Sequence, residues 1–232
     1  MKPHAADLAV VTGASRGIGR ATAIAFAKRG VHVALLGRSG PVLDEAAEAA
    51  RSAGTDARPF ACDVANEDDV TRASAEVLAT MGTPRVIVNN AGIVRRGVTV
   101  EATATADWDE VIAVNLRGAF LVSRAFLPAM LHAKRGRFVH VASISSTLGS
   151  PGAASYAASK WGLVGFAKSL AEELRGTGLQ SIAVLPGSVD TAMLVGSGFA
   201  PQMSADDVAG LIVYTSLDAP DALTGSAVEM FG

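Results

Sequence analysis

The sequence contains little cysteine, histidine, aromatic side chain or charge. Its 232 residues include one cysteine, four histidines and 5% aromatic residues. A single cysteine excludes an internal disulfide, and the histidines have no metal-ligand spacing with it or with each other, so we expect no metal site. Basic residues number 20 against 22 acidic ones. Because this balance provides no positive field for a nucleic-acid backbone, we expect no nucleic-acid partner.

Long apolar runs and a signal-peptide pattern are also missing. No apolar run reaches the ~18 residues of a membrane span, and the opening MKPHAADLAVVTG lacks the charged, apolar and small-residue order of a signal peptide. We therefore expect a cytoplasmic protein without a membrane partner. Half of the residues are apolar, a fraction that excludes a disordered chain.

The sequence does contain an alternation of short β-branched runs with longer helical stretches. Runs typical of strands lie at 8–11, 31–36, 86–88, 138–141 and 182–185. Helical spacing is found at 17–29, 41–53, 67–81, 106–132, 156–175 and 205–217. Several runs are apolar at nearly every position, as in parallel strands that helices cover on both faces. We predict one domain over 1–232, an α/β Rossmann fold with a doubly wound parallel sheet.

A glycine-rich turn, TGASRGIG at 12–19, connects the first predicted strand to the first helix. This arrangement presents unpaired backbone N–H groups and the positive end of a helix dipole to a pyrophosphate. Glycine lets the backbone approach the ligand. The alternative is a turn that uses glycine only for its backbone angles. The candidate cofactor-binding residues here are Gly13, Ser15, Arg16, Gly17, Ile18 and Gly19.

The second predicted strand ends in Arg38, where a dinucleotide fold that binds NAD carries an acidic residue. Arginine at this position suits the 2′-phosphate of NADP instead. Arg16 and Arg38 would converge on that phosphate with charge-assisted hydrogen bonds. We therefore favour NADP(H) over NAD(H). The alternative is that both arginines are solvated surface residues.

Further candidates lie where a third strand closes, in ACDV at 61–64, and after the fourth strand, the run 86–88. Asp63, beside Val64, would either accept a hydrogen bond from the adenine amino group or cap its own loop. Asn90, Ala91 and Gly92 follow a buried run, and small residues with a side-chain amide let the chain pass close to a cofactor.

Tyr156 and Lys160 lie four residues apart at the start of a predicted helix, so their side chains share one face. A nearby ammonium lowers the pKa of a phenol from about 10 toward working pH. Tyr156 would then act as a general acid toward a carbonyl or a base toward an alcohol. A lone Tyr-x-x-x-Lys is more often surface packing.

Together these motifs resemble those of the short-chain dehydrogenases/reductases. TGASRGIG, NNAG at 89–92, Asn115, a serine thirteen residues before Tyr156, and Pro186-Gly187 occur in the family's order. The resemblance covers about residues 7–230, and the best match in general appearance is to 3-oxoacyl-[acyl-carrier-protein] reductases, which use NADPH. It implies about seven strands, a dinucleotide-binding half at about 7–92 and a catalytic and substrate half at about 93–232.

The resemblance implies a role for each catalytic candidate. Tyr156 would exchange a proton with the substrate oxygen, while hydride passes between the nicotinamide and the carbonyl carbon. Lys160 would bind the nicotinamide ribose and lower the pKa of the tyrosine. Ser143 would polarise the substrate oxygen, and Asn115 would support a water-mediated proton relay through Lys160.

The segment after the sixth predicted strand would complete the cofactor site and form a substrate lid. Pro186 and Gly187 open it, Val189 would contact the nicotinamide carboxamide, and Thr191 would contact its amide or the pyrophosphate. Only twelve residues separate Thr191 from a predicted helix cap at Ser204. This separation is short for the family, and the lid within it, residues 192–199, is apolar and glycine-hinged, which suits a mobile cover.

The substrate remains open between two enzyme classes. One candidate is a 3-oxoacyl thioester on an acyl carrier, hence a role in fatty acid biosynthesis; the other is a sugar, steroid or other secondary alcohol. A third reading is a nucleotide-sensing protein without catalysis. Arg95 and Arg96 add positive charge near the expected entrance. Four further basic residues form either a docking surface for an acidic carrier or a solvated cluster near a helix C-terminus: Lys134, Arg135, Arg137 and Arg175.

The resemblance also implies a homotetramer or dimer, with helices 106–132 and 156–175 packed across a two-fold axis. Leu121, Phe126, Leu163 and Phe166 would serve as core or interface. The C-terminal AVEMFG departs from the family's usual ending and puts the usual C-terminal contact in doubt.

Overall fold

The computed structural model describes residues 7–38 and 40–232, so residues 1–6, part of the segment assessed for a signal peptide, lie outside it. Seven parallel strands form one sheet in the order β3-β2-β1-β4-β5-β6-β7. The strands are β1 Leu8–Thr12, β2 His32–Gly37, β3 Ala57–Ala61, β4 Val86–Asn89, β5 Gly136–Val141, β6 Leu179–Pro186 and β7 Ala227–Met230. The predicted doubly wound Rossmann fold is confirmed.

Seven α-helices cover the two faces of the sheet. They are α1 Gly17–Lys28, α2 Pro41–Ser52, α3 Glu67–Thr80, α4 Thr105–Ile112, α5 Gly118–Ala133, α6 Ala154–Glu173 and α7 Ala205–Leu217. One core cluster gathers Phe26 and Ile212 from α1 and α7; a second gathers Val77 and Phe126 from α3 and α5. Because both faces are covered, β1 is buried at every residue and lacks polar alternation.

The strand order reverses at β1, which pairs with β2 on one side and β4 on the other. In doubly wound sheets the crossover helices diverge at such a point and leave a crevice beyond the carboxyl ends of the strands. The fold therefore places its ligand crevice at the ends of β1 and β4, next to Gly13 and Asn90.

The helix predicted over 106–132 is wrong in one respect, because it is not a single uninterrupted α-helix. A π-helical segment, Ala113–Arg117, joins α4 to α5. Asn115 lies within this segment, and its side chain forms hydrogen bonds with the backbone of Ile93, outside the helix. The extra residue per turn of the π-helix thus occurs at a side chain that bonds to another part of the chain. The whole run Thr105–Ala133 is long and apolar enough to cross a membrane, but α5 packs against β4 and β5 as a core helix.

Smaller differences concern element ends and the destination of apolar residues. The third strand ends at Ala61, so Asp63 lies in a loop, and α6 begins at Ala154 rather than at Tyr156. Ser204 caps α7 as predicted, in a reciprocal pair with Asp207. Of the residues left open between core and interface, Leu121, Phe126 and Leu163 are buried in the core, and Phe166 packs partly buried against it.

Candidate active site

The predicted site residues lie along one edge of the sheet, where the strands end. Gly13 follows β1, Arg38 follows β2, Asn90 follows β4 and Gly187 follows β6. Ser143 comes two residues after β5, and α6 brings its first turns to the same edge. Distant motifs thus meet because parallel strands present their carboxyl ends together.

The glycine turn is fixed by close backbone contacts. Gly13 and Gly17 have φ values of +62° and +54°, which favour glycine. A Cβ on Gly13 would lie 2.8 Å from the Cα of Ala91, and one on Gly19 would lie 2.3 Å from the carbonyl oxygen of Gly13. Arg16 at the start of α1 makes no side-chain cap. The glycines are therefore needed for packing, and the first N–H groups of α1 are left for a ligand such as pyrophosphate.

A threonine that the sequence-based prediction left out holds this turn to the next loop. The Thr12 hydroxyl donates to the Val88 carbonyl at 3.2 Å and accepts from the backbone N–H groups of Asn90 and Ala91, each at 3.0 Å. The Asn90 side chain returns a bond to the Thr12 carbonyl at 2.8 Å. The position of Thr12 at the end of β1, directly before the first glycine of the turn, is the signal that could have identified this threonine.

The outer part of the predicted cofactor site has a mixed outcome. Arg16 and Arg38 are exposed at the ends of the neighbouring strands β1 and β2. The Asp63 carboxylate accepts from the backbone N–H of Ala65 at 3.0 Å, which is the loop-capping alternative. Val64 is buried, and a Cβ on Gly118 would lie 2.9 Å from its Cγ2. Val64 thus seats α5 through its side chain.

The catalytic candidates come together at the start of α6. Tyr156 and Lys160 are both buried, with Lys160 Nζ 5.7 Å from the centroid of the tyrosine ring. The Lys160 ammonium donates to the backbone carbonyl of Val141 at 2.7 Å. Ser143, also buried, begins a short 3₁₀ turn and accepts from the Ser145 N–H at 3.1 Å. The strand end and the helix thus fix these three side chains against one another.

Burial controls the protonation of this centre. It raises the pKa of the Tyr156 phenol, while the Ser143 hydroxyl and the charge of Arg96 act in the opposite direction. Burial also lowers the pKa of Lys160 to about 8. The net shift of the Tyr156 pKa is therefore opposite to the predicted one, because burial outweighs the Ser143 hydroxyl and the charge of Arg96. Near neutral pH Tyr156 retains its proton.

Asn115 links the catalytic helix to the loop after β4. Its side-chain amide donates to the Ile93 carbonyl at 2.9 Å and to the Ser159 hydroxyl at 3.0 Å, and its oxygen accepts from the Ile93 N–H at 2.8 Å. A Cβ on Gly92 would lie 3.4 Å from that oxygen and 3.5 Å from Lys160 Nζ. The backbone of Gly92 therefore lies between the Asn115 side chain and Lys160, and a larger residue at this position would crowd both side chains.

The chain after β6 returns over the glycine turn. Pro186 ends the strand, and the Gly187 N–H donates to the Met230 carbonyl at 2.8 Å. Val189 is buried and pairs with Met203. A Cβ on Gly17 would lie 3.4 Å from the methyl group of Thr191, so Thr191 stands directly beside the glycine turn.

The proposed carrier-docking surface is not supported by the structure. Lys134, Arg135 and Arg137 lie at the amino end of β5, the edge of the sheet opposite to Ser143. Arg137 is buried and donates to backbone carbonyls at the end of α7. Ion pairs also form at three of the four cations, Arg135 with Asp7, Arg137 with Asp221 and Arg175 with Glu172.

Comparisons with known proteins agree with this geometry. The family model of the short chain dehydrogenases matches residues 7–203. A 3-oxoacyl-[acyl-carrier-protein] reductase from Synechocystis sp. is 35% identical, over 98% of this chain and 96% of its own length. A 2-(S)-hydroxypropyl-CoM dehydrogenase from Xanthobacter autotrophicus is 31% identical over 97% and 95%. A crystal structure of a putative short-chain alcohol dehydrogenase from Sinorhizobium meliloti superposes with a TM-score of 0.90 at 31% identity, covering 96% of this chain and 94% of that one.

Proposed function

Because the chain belongs to the short-chain dehydrogenase family and is an oxidoreductase that uses a nicotinamide cofactor, we propose that it transfers hydride between NADP(H) and a carbonyl or secondary alcohol. The observation that carries the proposal is the meeting of Ser143, Tyr156 and Lys160 at the sheet edge that also holds the glycine turn. A nucleotide-sensing protein without catalysis would not require this buried arrangement.

The three side chains divide the chemistry at the substrate oxygen. Tyr156, protonated near neutral pH, donates its proton to the carbonyl oxygen of the substrate. The Ser143 hydroxyl donates a hydrogen bond to the same oxygen and stabilises the negative charge that develops there. Lys160, which is positively charged below about pH 8, lies one turn further along α6 and stabilises the negative charge on the substrate oxygen. In the direction of oxidation, Tyr156 accepts the proton of the alcohol.

The cofactor fits the residues of the glycine turn. The N–H groups at the start of α1 would hold the pyrophosphate, with Thr191 beside them. Arg16 and Arg38 would bind the 2′-phosphate, which is the reason for choosing NADP(H). Asn90 and Gly92 would line the path toward the nicotinamide, and Lys160 would bind its ribose. When bound, the nicotinamide supplies or accepts the hydride.

Asn115 and the strand-end residues would complete the cofactor site. Asn115 would support a proton relay through Lys160. Its side chain is positioned for this role by its hydrogen bonds to Ile93 and Ser159. Val189 would contact the nicotinamide carboxamide. The remaining residues that we propose to contact the cofactor are Gly13, Ser15, Gly17, Ile18, Gly19, Asp63, Val64, Ala91, Pro186 and Gly187.

Two classes of substrate are consistent with this centre. The Synechocystis relative supports a 3-oxoacyl thioester, and with it a role in fatty acid biosynthesis. The position of Arg137 and its neighbours on the opposite edge of the sheet favours a small secondary alcohol or ketone that needs no carrier. For either class we propose a cytoplasmic enzyme.

We also propose a homotetramer or dimer built on α4, α5 and α6. Large apolar side chains on these helices are exposed in the monomer: Trp108, Phe120, Leu131 and Trp161. Burying such side chains against a second copy would remove apolar surface from water. Light scattering after size exclusion tests the assembly, and a monomer would contradict it.

The experiment that tests the reaction is cofactor consumption across a substrate panel. Purified protein is mixed with NADPH or NADH and with acetoacetyl thioesters, simple ketones and oxidised sugars. We expect turnover with NADPH in preference to NADH. Turnover of thioesters alone would select the first substrate class, turnover of ketones or sugars alone the second. A protein that binds NADPH and reduces no carbonyl would contradict the proposal.

A further inference from the structure

One cationic side chain near the proposed catalytic centre has no role in the reaction so far. Arg96 is partly buried, and its guanidinium donates a hydrogen bond to the backbone carbonyl of Met193 in the lid. Its positive charge also acts on the Tyr156 phenol and opposes the rise in the pKa of that group. The guanidinium is therefore bonded to the lid, and its charge acts on the Tyr156 phenol.

The backbone on both sides of Arg96 is held against the catalytic elements. Ile93 exchanges two hydrogen bonds with the Asn115 side chain. A Cβ on Gly152 would lie 3.2 Å from the Cα of Gly97, so the loop packs tightly on the segment that leads into α6. These contacts fix the backbone position from which the Arg96 side chain extends to Met193.

The neighbouring arginine shows what an ordinary surface cation does here. Arg95 is exposed and forms ion pairs with Glu110 at 2.5 Å and with Asp107 at 3.5 Å. Within residues 7–38 and 40–232, Arg96 forms no salt bridge, and its partner is the neutral carbonyl of Met193. A partly buried guanidinium without a counter-ion is suited to pair with an anion that arrives with the ligand.

We infer that Arg96 is a specificity-determining residue that binds a carboxylate of the substrate, so that the enzyme acts on small oxo acids or the corresponding hydroxy acids. The guanidinium matches a carboxylate with two parallel hydrogen bonds. On binding, the substrate carboxylate replaces the Met193 carbonyl as the partner of Arg96 and thereby couples substrate recognition to the lid. The inference rests on the proposed function, since it uses the same catalytic centre, and it selects the carrier-free substrate class.

The test compares acids with their neutral methyl esters, so that the charge at one end of the molecule is the main difference. The probes are 2-oxobutanoate, 3-oxobutanoate and 4-oxopentanoate, which place the carboxylate at increasing distance from the ketone, each beside its methyl ester. We expect the wild-type protein to prefer the acid in at least one pair. Arg96→Gln should lower kcat/KM for that acid by ~10-fold or more, chiefly through KM, because a charge-assisted pair is lost. The ester should change little.

Two further variants separate recognition from general damage to the site. Arg95→Gln removes the neighbouring arginine, which is already paired with Glu110 and Asp107, and should leave the acid-to-ester ratio unchanged. Arg96→Lys retains the charge without the fork geometry and should recover part of the preference. Thermal melting of each variant establishes that it is folded. Equal losses for acid and ester in Arg96→Gln would overturn the inference.

A binding measurement distinguishes failure of this inference from failure of the proposed reaction. Calorimetry follows the binding of 3-hydroxybutanoate in the presence of NADPH, with which the alcohol cannot react. If the wild-type protein reduces no carbonyl yet binds the hydroxy acid more tightly than Arg96→Gln does, the carboxylate site stands and the proposed function falls. If it reduces ketones or thioesters with an acid-to-ester ratio that Arg96→Gln leaves unchanged, the function stands and the carboxylate site falls. Absence of both turnover and binding overturns both.

Discussion

The glycine turn and the lid lie at the same edge of the sheet but are built in opposite ways. In the turn, an added methyl group on Gly13 or Gly19 would collide with backbone atoms at 2.8 Å or less. In the lid, Gly196 and Gly198 have nothing within 4 Å of such a group, and Val195 is 81% exposed. The turn is fixed by its neighbours, whereas few contacts hold the lid.

This difference separates reaction type from substrate choice. Close contacts allow the turn and the start of α6 only one arrangement. We therefore propose that these two segments determine the type of reaction, hydride transfer with a nicotinamide cofactor. The lid meets the rest of the protein through a small number of bonds, among them the bond from Arg96 to Met193. We therefore propose that substrate selection depends on a few side chains that face a loosely held lid.

The largest expected effect concerns the rigid side of this comparison. Tyr156→Phe removes the proposed proton donor while keeping the ring that packs at the start of α6. We expect turnover to fall by roughly 10²–10⁴-fold, with NADPH affinity nearly unchanged, because no cofactor-binding N–H group is altered. Steady-state kinetics and a fluorescence titration with NADPH measure the two quantities. Retained turnover would remove Tyr156 from the mechanism.

Next in size is the choice between the two cofactors. Arg38→Asp replaces a proposed phosphate ligand by an acid suited to a ribose hydroxyl. We expect the ratio of kcat/KM for NADPH to that for NADH to fall by roughly 10-fold or more, since charge-assisted bonds to phosphate are lost. Arg20→Gln serves as a control, because Arg20 is an exposed arginine on α1 outside the proposed site. An unchanged ratio in Arg38→Asp would show that Arg38 is only a surface residue.

A pair of identical substitutions in two helices tests the close packing itself. Gly19→Ala, in α1, would place Cβ 2.3 Å from a backbone oxygen and should destabilise the fold by ~1–3 kcal/mol and weaken NADPH binding. Gly165→Ala, in α6, meets nothing within 4 Å and should stabilise the protein by up to ~1 kcal/mol. Urea denaturation of both variants measures the difference. Equal effects would mean that the turn is no more constrained than an open helix surface.

The smallest predicted effect is a pH dependence. Burial lowers the pKa of Lys160 to about 8, so its charge is lost as the pH rises through that value, while Tyr156 stays protonated because burial raises its pKa. We expect kcat/KM for carbonyl reduction to fall above pH ~8. In Lys160→Arg the side chain remains charged, which should move the fall to higher pH. A wild-type profile that stays level to pH ~10 would contradict this role of Lys160.

Much of the rigid region could be predicted from the sequence. The buried runs identified a parallel sheet, and parallel strands carry whatever follows them to one edge. Gly13, Ser143 and Lys160 were therefore placed together by topology once the strands were recognised. These residues are far apart in the sequence, but each follows a parallel strand or belongs to a helix that begins at the same edge of the sheet.

Three features could not be predicted because they depend on tertiary packing. The π-helical segment around Asn115 follows from bonds to Ile93, a residue 22 positions away. The pKa of Tyr156 is raised by burial, which outweighs the Ser143 hydroxyl and the charge of Arg96. The Arg137 side chain looked like part of a basic surface, but it lies at the other end of its strand and is buried against α7.

The measurement that tests the central claim most directly is the fate of a deuterium label. Wild-type protein is supplied with NADPH deuterated at C4 of the nicotinamide and with the ketone or oxo acid that it reduces best, and the alcohol product is weighed by mass spectrometry. We expect the product to carry the label on carbon, delivered from one of the two C4 epimers of the cofactor, and Tyr156→Phe to form almost none of it. A product without deuterium, from either epimer, would contradict direct hydride transfer at this site.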